Sequence, residues 1–140
     1  MIDPRQRELM ELARSPGARV SEPPSGDSWY SAGKEIRSCG DTLTLYLRER
    51  EGRISEARYS GAACALALAS AELLCRTLEG LTESEASTLI NEWHAYLTGE
   101  GDLPPEEPSS LESLSIVREY PARRGCVLLA FDCARTALDT

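Results

Sequence analysis

Three cysteines and one aspartate are the residues of this chain best suited to chemistry. Cys39-Gly40-Asp41 places a thiol and a carboxylate two residues apart. On an extended segment two such residues point the same way, and Gly40 lets the backbone bend so that both face one point. Cys64 stands at or near the start of the most apolar helix, and Cys126 at the start of the last one. The positive end of the helix dipole and the free N–H groups there favour a thiolate. Three thiols and one carboxylate, delivered by a loop and two helix starts, can form a tetrahedral site for zinc, or for iron with sulfide. The spacing alone does not demand it. There is no CxxC pair; 24 residues separate Cys39 from Cys64 and 61 separate Cys64 from Cys126. Buried, inert cysteines are the ordinary alternative.

The elements that must position these residues follow from patterning. Ser60 to Ala71 is the longest uncharged run, and Tyr59–Gly80 around it reads as the central core helix, apolar on nearly all faces. It is too short to span a bilayer. Before it, Thr42–Arg48 alternates with Leu43, Leu45 and Leu47 on one face, Glu51-Gly52 turns the chain, and Arg53–Tyr59 returns. Ser28–Arg37 is a weaker strand that would complete a three-stranded antiparallel sheet. Asp3–Ala13 is a short helix with Asp3 as cap and Pro4 in its first turn. Ser15–Asp27 reads as loop. Thr82 and Glu85 form a capping-box pattern ahead of a helix reaching Tyr96, and Gly99–Pro108 is an acidic, proline-rich loop. A short helix runs from Ser109 or Ser110 to Val117, Pro121 stops regular structure, and Cys126–Leu138 is the last helix. The expected class is α+β: a small three-stranded antiparallel sheet with about five helices packed on it, in one domain over residues 1–140.

Composition bounds the function. The chain has 140 residues, 41% of them hydrophobic, enough to bury a core without disulfides. Fifteen Lys and Arg against 23 Asp and Glu give a net charge of −8, which disfavours nucleic acid and anionic membrane surfaces as partners. No apolar leader follows Met1, so the expected compartment is the cytoplasm, where thiols stay reduced. Five cysteines are then read as buried hydrophobes, metal ligands or reactive thiols.

The string Cys39-Gly40-Asp41, a hairpin, Gly61-Ala62-Ala63-Cys64-Ala65, Ala69-Ser70-Ala71 and Gly80, then Pro121 to Cys126 entering a final helix, resembles the IscU/NifU-type iron–sulfur assembly proteins. The resemblance covers about residues 36–138. Within it, the long Gly99–Pro108 loop and Arg123 look most like the SufU branch. The resemblance implies a zinc site made by Cys39, Asp41, Cys64 and Cys126, with iron or a [2Fe-2S] cluster as the alternative. It implies a sulfur acceptor working with a SufS-type cysteine desulfurase, and through it downstream cluster-assembly proteins. Any enzyme activity is at most that of a zinc-dependent sulfurtransferase. Cys39 occupies the acceptor position, with Arg123 as a supporting cation for Asp41 or the freed thiolate. Two other readings stay open: a scaffold for a labile [2Fe-2S] cluster, and a non-catalytic binding partner. The chain departs from the family pattern at Arg37, Ala63, Ala67, Glu72 and Gly125, and Gly125 matches neither branch.

The remaining polar and aromatic residues read as structural. His94 is a surface or packing residue, Cys75 and Cys133 belong to the core, and Trp93 with Tyr96 is a core aromatic pair.

Overall fold

The computed structural model describes residues 3–14, 17–36, 40–102, 104 and 110–139. Arg37 and Cys39 lie outside them, as does much of the expected acidic loop. Helix α1 spans Pro4–Arg14. It is followed by strands β1 (Trp29–Ile36), β2 (Asp41–Arg50) and β3 (Arg53–Ser60). Helices α2 (Ala65–Leu78) and α3 (Glu83–Leu97) come next, then two 3₁₀ helices, η1 (Ser110–Arg118) and η2 (Pro121–Arg123), and finally α4 (Arg124–Leu138).

The sheet is antiparallel in the order β1-β2-β3. Leu45 at its centre faces Ala32 on one side and Tyr59 on the other. The Leu43, Leu45, Leu47 alternation buries all three against the helices, because successive residues of a strand face opposite sides. The β2–β3 turn carries positive φ at both Glu51 and Gly52, the backbone that a two-residue hairpin requires. The weak strand is a real one. β1 pairs with β2 over its whole length, although its own side chains are largely exposed.

α4 lies across β1 and β2, α2 packs on β3, and α1 and η1 close over α2. Trp93, Tyr59 and Phe131 are the largest fully buried side chains. Trp93 meets Tyr96 edge-on, with ring centroids 5.5 Å apart. Cys75 and Cys133 are buried. Burial pushes the Cys133 thiol up to about 11 and the Cys75 thiol higher still, so both are inert core residues. His94 reaches Asp132 at 3.4 Å between α3 and α4. Among the described residues no helix is long and apolar enough to cross a membrane.

Helix boundaries depart from the sequence reading at two places that matter. The central helix starts at Ala65, because Tyr59 and Ser60 still pair in β3; Cys64 is its N-cap residue. The last helix starts at Arg124, because Pro121 opens a 3₁₀ turn that runs directly into it. Cys126 is therefore the third residue of the helix rather than its first. The segment ending near Val117 is likewise a 3₁₀ helix, extended to Arg118.

Candidate metal centre

Asp41 is the first residue of β2, paired with Ile36 and only 6% exposed. Just beyond the end of β3, Gly61 and Ala62 continue along β2. The Thr42 amide donates to the Ala62 carbonyl (2.9 Å), and the Ala62 amide donates to the Thr42 hydroxyl (3.3 Å). Gly61 makes this approach possible. Its φ is +143°, and a Cβ there would lie 2.2 Å from the Thr42 carbonyl oxygen. The chain then delivers Cys64 beside Asp41, and the Cys64 amide donates to Asp41 Oδ1 at 3.2 Å.

The third element is fixed from the middle of α2. The buried Ser70 hydroxyl donates to the Val127 carbonyl at 2.8 Å. This holds the first turn of α4, and with it Cys126, against the helix that begins at Cys64. The ligand atoms of Asp41, Cys64 and Cys126 all lie within 4.8 Å of one another. Cys64 and Cys126 are half-buried and carry reduced side chains. Neither α2 nor α4 has an acidic residue in its first turn, so nothing there competes with the thiols for the helix N-termini.

These residues suit a metal. Asp41 Oδ2 is buried and has no hydrogen-bond partner among the described residues. An orphaned carboxylate oxygen costs about 1–3 kcal/mol or more, and a cation among two thiols would satisfy it. Zinc–sulfur bonds of about 2.3 Å at tetrahedral angles set ligand atoms about 3.8 Å apart, which the cluster reaches with small side-chain motion. Three donors are brought together. The fourth residue expected from sequence, Cys39, lies outside the described residues. Arg123 approaches from another side. It lines an open cleft of about 430 Å³ together with Cys64, and among the described residues no ion pair joins it to Asp41. Gly125 leaves ordinary contact distance to Ile36, 3.9 Å from where its Cβ would be, so the position before Cys126 has room for a side chain it does not carry.

The sequence pattern of the NifU-like N terminal domain family matches residues 6–126. The chain belongs to this IscU/NifU N-terminal family. It is 34% identical over 106 residues to the iron–sulfur cluster assembly scaffold protein IscU of Thermotoga maritima, covering 76% of this chain and 73% of that protein. It is 22% identical over 94 residues to the zinc-dependent sulfurtransferase SufU of Bacillus subtilis, covering 67% of this chain and 64% of that protein. Both branches considered from the sequence are thus among the relatives of this NifU-family chain. The crystal structure of an N-terminal NifU-like protein from Brucella abortus superposes with a TM-score of 0.77 at 26% identity, covering 98% of this chain and 91% of that one. A putative SUF-system scaffold from Fervidobacterium islandicum gives 0.83 at 20% identity, over 98% and 96% of the two chains, a likeness of fold.

Two features of this NifU-family chain escaped the sequence reading. One is Glu72, which reads in sequence only as a departure from pattern. It is fully buried. Its carboxylate accepts from the Ala18 amide (3.0 Å), the Tyr59 hydroxyl (3.0 Å) and Arg76 Nε (2.8 Å), and from the Gly17 amide. Burial alone would raise its pKa, but these donors outweigh burial and hold it below the ordinary glutamate value. The other is the cleft beside Cys64. Its apolar residues are scattered over α1, α2, η1 and the link from η1 to η2, so no local motif announces it.

Proposed function

We propose that this protein is a sulfur acceptor in iron–sulfur cluster assembly, holding zinc through Cys39, Asp41, Cys64 and Cys126 and taking sulfur in the cytoplasm from a SufS-type cysteine desulfurase. The observation that carries it is the convergence of Asp41, Cys64 and Cys126 with the Asp41 Oδ2 orphan, in a chain of this family. Bound zinc would keep the thiols deprotonated and shielded. The chain's own chemistry is thiolate exchange. The Cys39 thiolate attacks the outer sulfur of the donor's persulfide, a new S–S bond forms on Cys39, the donor's S–S bond breaks, and the donor cysteine leaves as its thiolate. No net oxidation or reduction occurs. Arg123, whose charge is permanent, stands on the cleft side of Cys64 to balance the anions in that exchange.

Identity to the Thermotoga IscU favours a second reading, in which the same residues hold a labile [2Fe-2S] cluster. One experiment separates the two. Protein purified anaerobically is expected to carry about one zinc per chain and to accelerate the desulfurase. Asp41→Ala, Cys64→Ser and Cys126→Ser are each expected to weaken zinc at least about 100-fold, more than loss of a supporting partner costs. Cys39→Ser is expected to abolish persulfide labelling of the chain. Lack of zinc together with a brown chromophore on iron and sulfide addition, longer-lived in Asp41→Ala than in wild type, would select the scaffold.

A further inference from the structure

Among the described residues, the two large hydrophobic side chains left exposed are Met10 at 44% and Tyr120 at 58%. They come from opposite ends of the chain, and both line the cleft that opens on Cys64. Leu9, Leu66, Ile116 and Val117 complete its apolar wall, and among the described residues Arg123 is its one charged group. Concentrated apolar exposure beside a reactive centre marks an interaction surface.

The walls are built to stand open. Behind the cleft, Arg5 donates to the Ser115 hydroxyl and pairs with Glu119, while the Ser113 hydroxyl donates to Glu8. These bonds fasten α1 to η1, so little ordering cost is paid on docking.

We propose that this cleft is the anchor pocket for the sulfur donor: it takes a polypeptide segment of the donor with a bulky apolar side chain close to an acidic one. The inference rests on the sulfur-acceptor reading above. Three observations choose this occupant. Among the described residues the cleft is lined by one guanidinium and no carboxylate, in a chain of net charge −8, so an acidic neighbour is better matched here than on the acidic surface at large. Its 430 Å³ suits one or two large side chains, the size of a central hot spot within a larger interface. Its end on Cys64 leads a docked segment to the thiol cluster.

The test uses the full chain and a purified SufS-type desulfurase. Met10→Glu and Tyr120→Glu put a charge on exposed rim positions and are expected to keep their zinc and melting temperature. Each is expected to raise the concentration of this chain that half-saturates desulfurase stimulation by about tenfold or more, with the rate at saturation unchanged. Met10→Leu and Tyr120→Phe are expected to behave as wild type. If wild type stimulates the desulfurase and the two glutamate variants match it, the cleft is not the anchor and the sulfur-acceptor reading stands. If the glutamate variants instead dissociate a dimer of this chain on sizing, the occupant is a second copy and the proposal is overturned. If wild type itself gives no stimulation, the sulfur-acceptor reading fails and takes the anchor with it.

Discussion

Glu72 shows how one buried charge can organise a fold away from its chemistry. Its carboxylate ties the Gly17–Ala18 backbone, Tyr59 of β3 and Arg76 of α2 to a single point. Because its folded pKa lies below the ordinary value of 4.5, its contribution to stability is complete above that value and is lost as pH falls below it toward the folded pKa. Urea unfolding at pH 7 is expected to show Glu72→Gln about 2 kcal/mol less stable, since the replaced carboxylate leaves donors unsatisfied. The same titration repeated below pH 4.5 is expected to bring the two proteins together. A constant difference down to the acid limit would mean that the charge is not what Glu72 supplies. In the sequence, Glu72 reads only as a departure from the family pattern, because its partners at Gly17, Ala18 and Tyr59 are distant in the chain.

The elements are joined at a few close approaches. Three amides of β3 find partners outside the sheet. Ile54 donates to the Leu81 carbonyl, Ala57 to the Glu79 carboxylate and Tyr59 to the Ala18 carbonyl, which makes that edge a poorer template for a foreign strand. Gly61 is the other approach, since it sets Cys64 against Asp41. Gly61→Ala is expected to cost about 3 kcal/mol or more, from a strained φ and a blocked backbone contact together, and to weaken zinc as the N-cap shifts. Gly80 also has positive φ, but nothing within 4 Å of where its Cβ would be. Gly80→Ala is therefore expected to cost only about 1 kcal/mol of backbone strain and to leave zinc affinity unchanged. Thermal melts and metal titrations of the pair check this. Equal effects on zinc would show that Gly61 does not position the site.

At the scale of the molecule, the proposed metal ligands come from β2, α2, α4 and the segment before β2. Metal bound there would link the sheet to both helices packed on it, and a site assembled only in the folded state couples metal to stability. At a free zinc concentration 100 times the dissociation constant, the gain is about 2.7 kcal/mol. That corresponds to roughly 10 °C in melting temperature for a chain of this size. Scanning calorimetry with and without a chelator is expected to show this difference in wild type and none in Asp41→Ala. A chelator effect that survives in Asp41→Ala would place the metal elsewhere.

The sequence by itself determined the sheet and the helices, and it singled out Asp41, Cys64 and Cys126, whose ligand atoms the structure brings together. The leucine alternation, the turn at Glu51-Gly52, the Thr82–Glu85 cap and the Cys39-Gly40-Asp41 and Gly61-to-Cys64 strings are local signals, written in neighbouring residues. It also marked Cys64 and Cys126 as helix-start thiols, because apolar periodicity shows where a helix begins to within a turn. Only the tertiary structure decided which residues meet. Asp41 and Cys64 are brought together by a β2 register that Gly61 permits, and Cys126 joins them through Ser70. The cleft beside Cys64 arises where Met10 and Tyr120, more than a hundred residues apart in the chain, line one surface. Contacts of that range depend on the packing of whole elements, and no local pattern encodes them.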